Sequence, residues 1–203
     1  MLKKFITLIL AGGLCAVCSF NALAAGDAAA GETKAALCAA CHGPDGNSVT
    51  PEFPKIAGQV RGYVAAQLAA YKSGKRPSQI MAGLVVSLTE QDMADIDAFY
   101  SQFEQTQASI AESDAAAAER GRELYRIGSS QYSIPACMAC HGPAGNGIPT
   151  RYPKVSGQYK EYLMQSLHEF KDGIRESDEM NPIAFRLSAQ QIEDLAVYMQ
   201  GLN

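Results

Sequence analysis

The sequence has little positive charge and few cysteines. Its 203 residues contain 17 Lys and Arg against 21 Asp and Glu, which gives a formal net charge of −4 and a pI near 5.4. This pI excludes the basic surface expected of a nucleic-acid-binding protein. Six cysteines are too few for a disulfide-dense miniprotein, and Trp is absent. Because 47% of the residues are hydrophobic and only 19% are charged, the chain is not disordered, and its length suits one large domain or two of about 100 residues each.

No stretch after residue 24 approaches the ~20 consecutive apolar residues that span a bilayer. The N-terminus instead predicts a secretory signal peptide over residues 1–24, since Lys3 and Lys4 precede an apolar run and small residues stand before a cleavage site after Ala24. The alternative is an uncleaved anchor. Cys15 and Cys18 fall within the removed segment. Loss of the two lysines leaves 15 basic and 21 acidic residues, a net charge of −6.

The mature chain is an internal duplication. A shift of 99 residues aligns 38–101 with 137–200 without a gap, and 22 of the 64 positions are identical. The residues retained in both copies are those that a shared chemistry or a shared packing requires. We predict an N-terminal domain over 25–105 and a C-terminal domain over 106–203, with a polar, Ala-rich linker at about 102–118.

Both copies are predicted to be all-α, with about three helices each, because apolar residues recur at helical spacing and strand signals are absent. The last helix of each copy opens with a capping box, Thr89-x-x-Asp92 and Ser188-x-x-Gln191. Other helices are predicted over 60–71 before Gly74, over 115–125 between Asp114 and Gly128, and over 159–170 before Gly173. The residues expected to face inward after the capping boxes are Met93, Ile96, Phe99, Ile192, Leu195 and Tyr198.

A C-x-x-C-H motif stands at the start of each aligned copy, and this is the spacing of c-type haem attachment. Two thiols three residues apart on a helical turn point the same way, so each can form a thioether with one haem vinyl group, while the adjacent His projects toward the iron. The alternatives are a redox disulfide, which normally accompanies an α/β fold, and a zinc site, which needs a fourth ligand. The motifs predict two covalently bound haem c groups, held by Cys38, Cys41 and His42 and by Cys137, Cys140 and His141.

Met81 and Met180 are the predicted second axial ligands of the two irons. They are the only methionines of the mature chain at equivalent positions, and each lies 39 residues after its haem His. A thioether ligand stabilises ferrous iron and raises the reduction potential. With His and Met both bound, the iron has no open site, which favours one-electron exchange over binding of O₂ or peroxide. The other methionines, Met93, Met138, Met164 and Met199, are interpreted as core residues.

Pro54 and Pro153 each lie 12 residues after a haem His. We expect the carbonyl of each proline to accept a hydrogen bond from that His, which fixes the ring. The alternative is a rigid turn before the Gly-Gln pair that follows. Tyr63 and Tyr162 are expected to be core residues or walls of the haem pocket, and His168 is expected to be exposed.

With a signal peptide, two C-x-x-C-H motifs, paired methionines and a Pro-Lys-x-x-Gly-Gln segment in each half, the whole mature chain resembles the dihaem cytochrome c4 family. The resemblance implies two tandem class I cytochrome c domains related by pseudo-twofold symmetry, with haem propionates near the interface. It also implies a periplasmic electron carrier rather than an enzyme, loosely associated with the membrane. A respiratory donor and a terminal oxidase are the expected redox partners. We expect a monomer that does not bind nucleic acid.

The segments before the two predicted Met ligands differ in charge. Residues 72–80 contain Lys72, Lys75 and Arg76 and no acid, whereas residues 171–179 carry a local charge of −2. One hypothesis is that the two haem edges dock different partners, because charged rims set association rates. The alternative is two differently solvated loops. Two other functions stay open: a dihaem peroxidase, which the matched methionines disfavour, and a docked subunit of a respiratory complex.

Overall fold

The computed structural model of the chain describes residues 25–203. The predicted signal peptide, with Cys15, Cys18 and the cleavage site after Ala24, lies outside the described residues. Within 25–203 the chain forms ten α-helices and two short 3₁₀ helices, and its β-structure is limited to two isolated bridges. The all-α prediction is confirmed, although each half has five α-helices rather than about three. None of the helices in this part of the chain is long and apolar enough to cross a membrane.

The two halves repeat the same order of helices. The first half contains α1 (Ala28–Lys34), α2 (Ala39–His42), α3 (Tyr63–Ser73), α4 (Gln79–Val85) and α5 (Glu90–Tyr100). The second half contains α6 (Ala115–Ile127), α7 (Met138–His141), α8 (Lys160–Lys171), α9 (Met180–Ala184) and α10 (Ala189–Gly201). The 3₁₀ helices span Ala35–Leu37 and Glu112–Asp114.

The first and last helices of each half cross at a glycine. A Cβ atom on Gly31 would lie 2.1 Å from the carbonyl oxygen of Asp95, and one on Gly121 would lie 2.0 Å from that of Asp194. Only a residue without a side chain lets the two backbones approach so closely. Ion pairs lie at the same crossings, between Lys34 and Asp95 at 2.5 Å and between Arg120 and Asp194 at 2.7 Å.

The last helix of each half begins and packs as its sequence predicts. Both capping boxes form, Thr89 with Asp92 and Ser188 with Gln191. The side chains that follow each box point into the core of their own half, one core per half. The buried residues are Met93, Ile96 and Phe99 in α5, and Ile192, Leu195 and Tyr198 in α10.

The segment predicted as a linker, residues 102–118, packs against the second half. Gln105 is buried, and its side-chain amide donates a hydrogen bond to the carbonyl of Ser156 at 2.9 Å. Asp114 stands at the N-cap of α6, but its carboxylate accepts a hydrogen bond from Lys160 at 3.1 Å instead of capping the helix. This segment therefore contributes side chains to the contact between the halves as well as connecting them.

Candidate functional site

Each C-x-x-C-H motif lies on a single helical turn, and the His at its end is buried. His42 closes α2 and His141 closes α7. The Nδ1 atom of His42 lies 2.8 Å from the carbonyl oxygen of Pro54, and that of His141 lies 2.9 Å from the carbonyl oxygen of Pro153. The predicted hydrogen bonds from histidine to proline are therefore present in both halves.

These hydrogen bonds define the state of the two imidazoles. A carbonyl oxygen only accepts, so Nδ1 of His42 and of His141 must carry the proton. Burial lowers the pKa of both histidines, and the hydrogen bond to the proline carbonyl only partly opposes it. A neutral ring protonated at Nδ1 has its lone pair at Nε2, which is the form that ligates a metal. Both histidines are thus prepared as ligands.

The four cysteines of the motifs are free thiols and half-buried. Burial raises the pKa of Cys38 and raises that of Cys137 to about 11. Among residues 25–203, no group of three or more His, Cys, Asp and Glu side chains is placed to hold a metal ion. Two thiols on one helical turn next to a His therefore fit covalent attachment to a haem better than a zinc site.

The two predicted methionine ligands occupy matching places. Met81 lies in the first turn of α4, where its N–H donates to the Ser78 hydroxyl at 3.2 Å, and Met180 opens α9, where its N–H donates to the Ser177 hydroxyl at 3.1 Å. Both are half-buried against the core of their own half. By contrast, Met93 and Met199 are fully buried in the cores, and Met138 and Met164 pack against one of them.

One cavity of about 670 Å³ joins the two sets of residues. Of the eight predicted site residues, all except Cys41 lie on its wall; Cys41 stands one position before His42 on α2. Tyr63 and Tyr162 also lie on the wall, as expected, whereas His168 is half-buried rather than exposed. The rest of the wall is largely apolar, with Val64, Leu68 and Ile96 from one half and Leu163, Leu167 and Leu195 from the other.

Two buried arginines line this cavity, although the sequence placed Arg76 in an exposed segment and gave Arg175 no role in the site. Arg76 and Arg175 are 6% and 7% exposed. Arg76 donates to the hydroxyl of Tyr162 at 2.9 Å, and Arg175 donates to the hydroxyl of Tyr63 at 2.9 Å, so each arginine reaches into the other half. Both also donate to the side-chain oxygen of Gln67, at 2.9 and 2.7 Å. Their retention at equivalent positions of the repeat was the signal that could have found them.

Burial of Arg76 corrects the hypothesis that it belongs to an exposed docking loop with Lys72 and Lys75. The phenol and amide groups around it already satisfy part of its hydrogen-bonding capacity. The segment before Met81 therefore exposes two cations rather than three, namely Lys72 and Lys75.

The two guanidinium groups place two positive charges inside the protein. Neither Arg76 nor Arg175 takes part in a salt bridge among residues 25–203. Two buried cations without a counter-charge cost several kcal/mol. Burial acts to raise the pKa of Tyr162, but the nearby Arg76 and Arg175 outweigh it and lower that pKa to about 8. The carboxylates of a haem bound in this cavity would supply the counter-charge, so the residues of the cavity fit the polar groups of a haem as well as its iron.

The Pro-Lys-x-x-Gly-Gln segments also meet across the interface. The side-chain amide of Gln158 pairs with the backbone of Lys55, and that of Gln59 pairs with the backbone of Lys154. The hydroxyl of Tyr159 donates to the carbonyl of Ser48 at 2.5 Å. The repeated Gln therefore has a structural partner in the opposite half, which the sequence analysis did not predict.

The comparisons with known proteins agree with this geometry. The family model for cytochrome c matches residues 28–103 and again 118–203. Cytochrome c4 of Pseudomonas aeruginosa is 41% identical over 208 residues, and that of Azotobacter vinelandii is 39% identical over 217 residues, each alignment covering 100% of both chains. The crystal structure of reduced recombinant cytochrome c4 from Pseudomonas stutzeri matches with a TM-score of 0.83 at 38% identity, covering 88% of this chain and 100% of that chain.

Two matches to one family model, one per half, imply two covalently bound haem c groups. Full-length similarity to the c4 proteins also covers the interface between the halves. The chain therefore belongs to the cytochrome c family and, within it, to the dihaem electron-transfer cytochromes c4.

Proposed function

We propose that the chain is a periplasmic electron carrier that accepts one electron per haem from a respiratory donor and passes it toward a terminal oxidase, and that it is not an enzyme. The observation that carries the proposal is the equivalence of the two sites. Each half presents one buried neutral His and one Met, on separate helices, to the wall of the same cavity. The signal-peptide pattern of residues 1–24 supports a periplasmic location.

Each of the eight site residues has a specific role in this proposal. The cysteines would form the thioethers to the haem vinyl groups, and the histidine and methionine of each half would hold the iron. When bound, haem c supplies a one-electron change between ferric and ferrous iron. The residues are Cys38, Cys41, His42 and Met81 for the first haem, and Cys137, Cys140, His141 and Met180 for the second.

The surrounding residues prepare this change rather than a reaction with an external substrate. Both histidines are fixed by a backbone carbonyl, and both methionines are placed by a helix start. Ligands held in this way move little when the iron changes charge. With His and Met as its ligands, the iron would have no open position for O₂ or peroxide, which disfavours the peroxidase alternative.

The exposed surface around α4 suits a redox partner with an acidic docking face. Lys72 and Lys75 are exposed in the segment before α4, and Ile80, Leu84 and Val86 are exposed within α4 or at its end. The equivalent segment before Met180 has one lysine against four exposed acids, Asp172, Glu176, Asp178 and Glu179. Because rim charges set association rate and its salt dependence, the two haem edges would select different partners.

The test is the visible spectrum of the reduced protein, with haem content per chain, before and after addition of carbon monoxide. We expect two low-spin haems per chain and no change with carbon monoxide, because Met81 and Met180 hold the sixth positions. A wild-type haem that binds carbon monoxide would contradict closed sites and would favour a peroxidase. Haem content below two per chain would contradict the assignment of both motifs.

A further inference from the structure

Each of two buried glutamines forms two hydrogen bonds with the backbone of the opposite half, one through each end of its side-chain amide. Oε1 of Gln158 accepts from the N–H of Lys55 at 3.0 Å, and its Nε2 donates to the carbonyl of Lys55 at 2.8 Å. In the mirror arrangement, Oε1 of Gln59 accepts from the N–H of Lys154 at 2.6 Å, and its Nε2 donates to the carbonyl of Lys154 at 3.0 Å. The glutamines are 7% (Gln59) and 5% (Gln158) exposed.

The N–H groups bound by these glutamines belong to the peptide units that hold the histidines. The N–H of Lys55 and the carbonyl of Pro54 are two ends of one peptide group, and that carbonyl accepts the hydrogen bond from His42. A continuous chain of hydrogen bonds therefore runs from the imidazole of His42, through the Pro54–Lys55 peptide, to Gln158 in the other half. The same chain runs from His141, through the Pro153–Lys154 peptide, to Gln59.

Hydrogen bonds in series strengthen one another. An acceptor at the N–H end of a peptide polarises the group and makes its carbonyl oxygen a better acceptor, by about 10–30% per bond in condensed-phase estimates. A stronger hydrogen bond from Nδ1 makes an imidazole a more basic metal ligand. A more basic ligand stabilises ferric iron relative to ferrous iron. The glutamine of one half is therefore coupled to the ligand strength of the histidine in the other half.

We propose that Gln158 is a positioning residue for the haem of the N-terminal half and that Gln59 is a positioning residue for the haem of the C-terminal half. Each glutamine lowers the reduction potential of the haem across the interface by strengthening the hydrogen bond of its histidine. This inference rests on the axial role of His42 and His141 stated above. It explains why Gln follows Pro-Lys-x-x-Gly in both copies. The proline carbonyl of the motif accepts the hydrogen bond from the His of its own half, and the Gln binds the corresponding Pro-Lys peptide of the other half.

The glutamines could instead act only as a clamp that fixes the halves relative to each other, and the test separates the two roles. Gln158→Met keeps the approximate volume of the side chain and removes the acceptor for Lys55. The reduction potential of each haem is measured by a redox titration followed through the haem methyl NMR signals, which distinguish the two haems. We expect the N-terminal haem to become easier to reduce, by about threefold in its ferrous-to-ferric ratio at a fixed solution potential, which is about 30 mV at 59 mV per tenfold.

Two further variants complete the experiment: one removes the other glutamine, and one breaks a different hydrogen bond across the interface. Gln59→Met is expected to shift the C-terminal haem in the same direction and leave the N-terminal haem unchanged. Tyr159→Phe removes the bond to Ser48, which also crosses the interface, without touching either peptide unit, and is expected to shift neither haem. A shift in the haem of the variant's own half, an equal shift in both haems, or no shift at all would overturn the proposal and leave the glutamines as a clamp.

A second readout does not depend on the potential. In the reduced, diamagnetic protein, the Nδ1 proton of His42 is expected to move upfield in Gln158→Met, because its hydrogen bond weakens, while that of His141 stays in place. Where the methionine variant does not fold, Gln158→Asn keeps an amide but is one methylene too short to reach Lys55. The same rise in reduction potential, confined to the N-terminal haem, is expected. Failure of the axial assignment would appear earlier, as carbon monoxide binding by the unsubstituted protein.

Discussion

The guanidinium of Arg76 in the N-terminal half donates a hydrogen bond to the hydroxyl of Tyr162 in the C-terminal half at 2.9 Å. The same bond is repeated in the opposite direction between Arg175 and Tyr63. The two halves are thus joined by paired, reciprocal contacts at the wall of the cavity. This arrangement places two positive charges on the wall of the cavity that the residues of both proposed haem sites share.

Loss of one buried cation is expected to lower haem potentials. Arg76→Met removes a positive charge beside the cavity, and a positive charge favours the reduced, more negative form of a haem. At the effective dielectric constant of a partly buried site, the fall is expected to be roughly tens of millivolts. Lys75→Met removes the same charge from the exposed neighbouring position, where water and salt screen it, and is the control. Equal shifts in the two variants would contradict a role for burial.

Removal of either methionine is expected to open one haem only. Met81→Ala and Met180→Ala each remove one proposed sixth ligand, so each variant should bind one carbon monoxide per chain and show one high-spin haem. The potential of the opened haem should fall, since a thioether favours ferrous iron. Met164→Leu, a change in a half-buried methionine outside the proposed ligand set, is expected to leave both spectra unchanged. Carbon monoxide binding by Met164→Leu would refute the assignment.

Addition of a methyl group at the helix crossing is expected to destabilise the C-terminal half. In Gly121→Ala the new Cβ would lie 2.0 Å from the carbonyl oxygen of Asp194, so α6 and α10 must move apart. We expect a loss of about 2–4 kcal/mol in the free energy of unfolding. In Gly83→Ala the new Cβ meets nothing within 4 Å, and the change within α4 should stabilise by up to about 1 kcal/mol. Denaturant unfolding of both variants measures the difference, and similar effects would argue against the close crossing.

Acid is expected to weaken the crossing of α1 and α5. The pKa of Asp95 is lowered, first by the hydrogen bond from Lys34 and then by the N–H of Asp27 and the side chain of Gln91. A carboxyl whose pKa is lowered on folding stabilises the fold above its unfolded value of about 3.9, and this contribution is lost as the pH falls below that value. Lys34→Met should therefore be less stable than the parent protein above pH of about 4, and the two should converge at lower pH. Unfolding free energies that stay a constant distance apart over this range would contradict the linkage.

Charge reversal near α4 is expected to slow electron exchange with an acidic partner. Lys75→Glu should lower the association rate and flatten its dependence on salt, because the side chain is exposed at the rim. The variant Arg61→Glu makes the same change of charge at an exposed position of the same half outside this segment. Stopped-flow rates measured at several ionic strengths with an acidic redox protein provide the test. Equal effects of the two reversals would show that total charge, rather than this surface, controls association.

The chemistry of the site could be predicted because its residues recur at fixed sequence spacings in each half. C-x-x-C-H, the methionine 39 residues later and the proline 12 residues later recur in both copies, and the repeat supplied a comparison that one sequence normally lacks. The bond from His42 to Pro54 was predicted on this basis and is present. Assignment of the eight residues to the haems stays a prediction until the spectra are measured.

The parts that were missed depend on contacts that a single chain segment does not display. α1 has few large apolar side chains, because its closest approach to α5 is made by the backbone at Gly31. Its start is set by Asp27, whose side chain caps the helix. Arg76 was placed on the surface because charged residues usually lie there. Its burial follows from a partner in the other half, which neither periodicity nor local charge can indicate.

The reciprocal contacts between the halves have the pattern of an isologous dimer, in which residue i of one subunit meets residue j of the other and j meets i. Here the two subunits are one polypeptide, so their association is intramolecular and no longer depends on the concentration of the protein. Joined subunits are also free to diverge one at a time. The side-chain oxygen of Gln67 accepts hydrogen bonds from both arginines, whereas the equivalent position in the second copy is Ser166. A dimer of identical chains would have to place two glutamines at that point on its axis, and the fused chain needs only one.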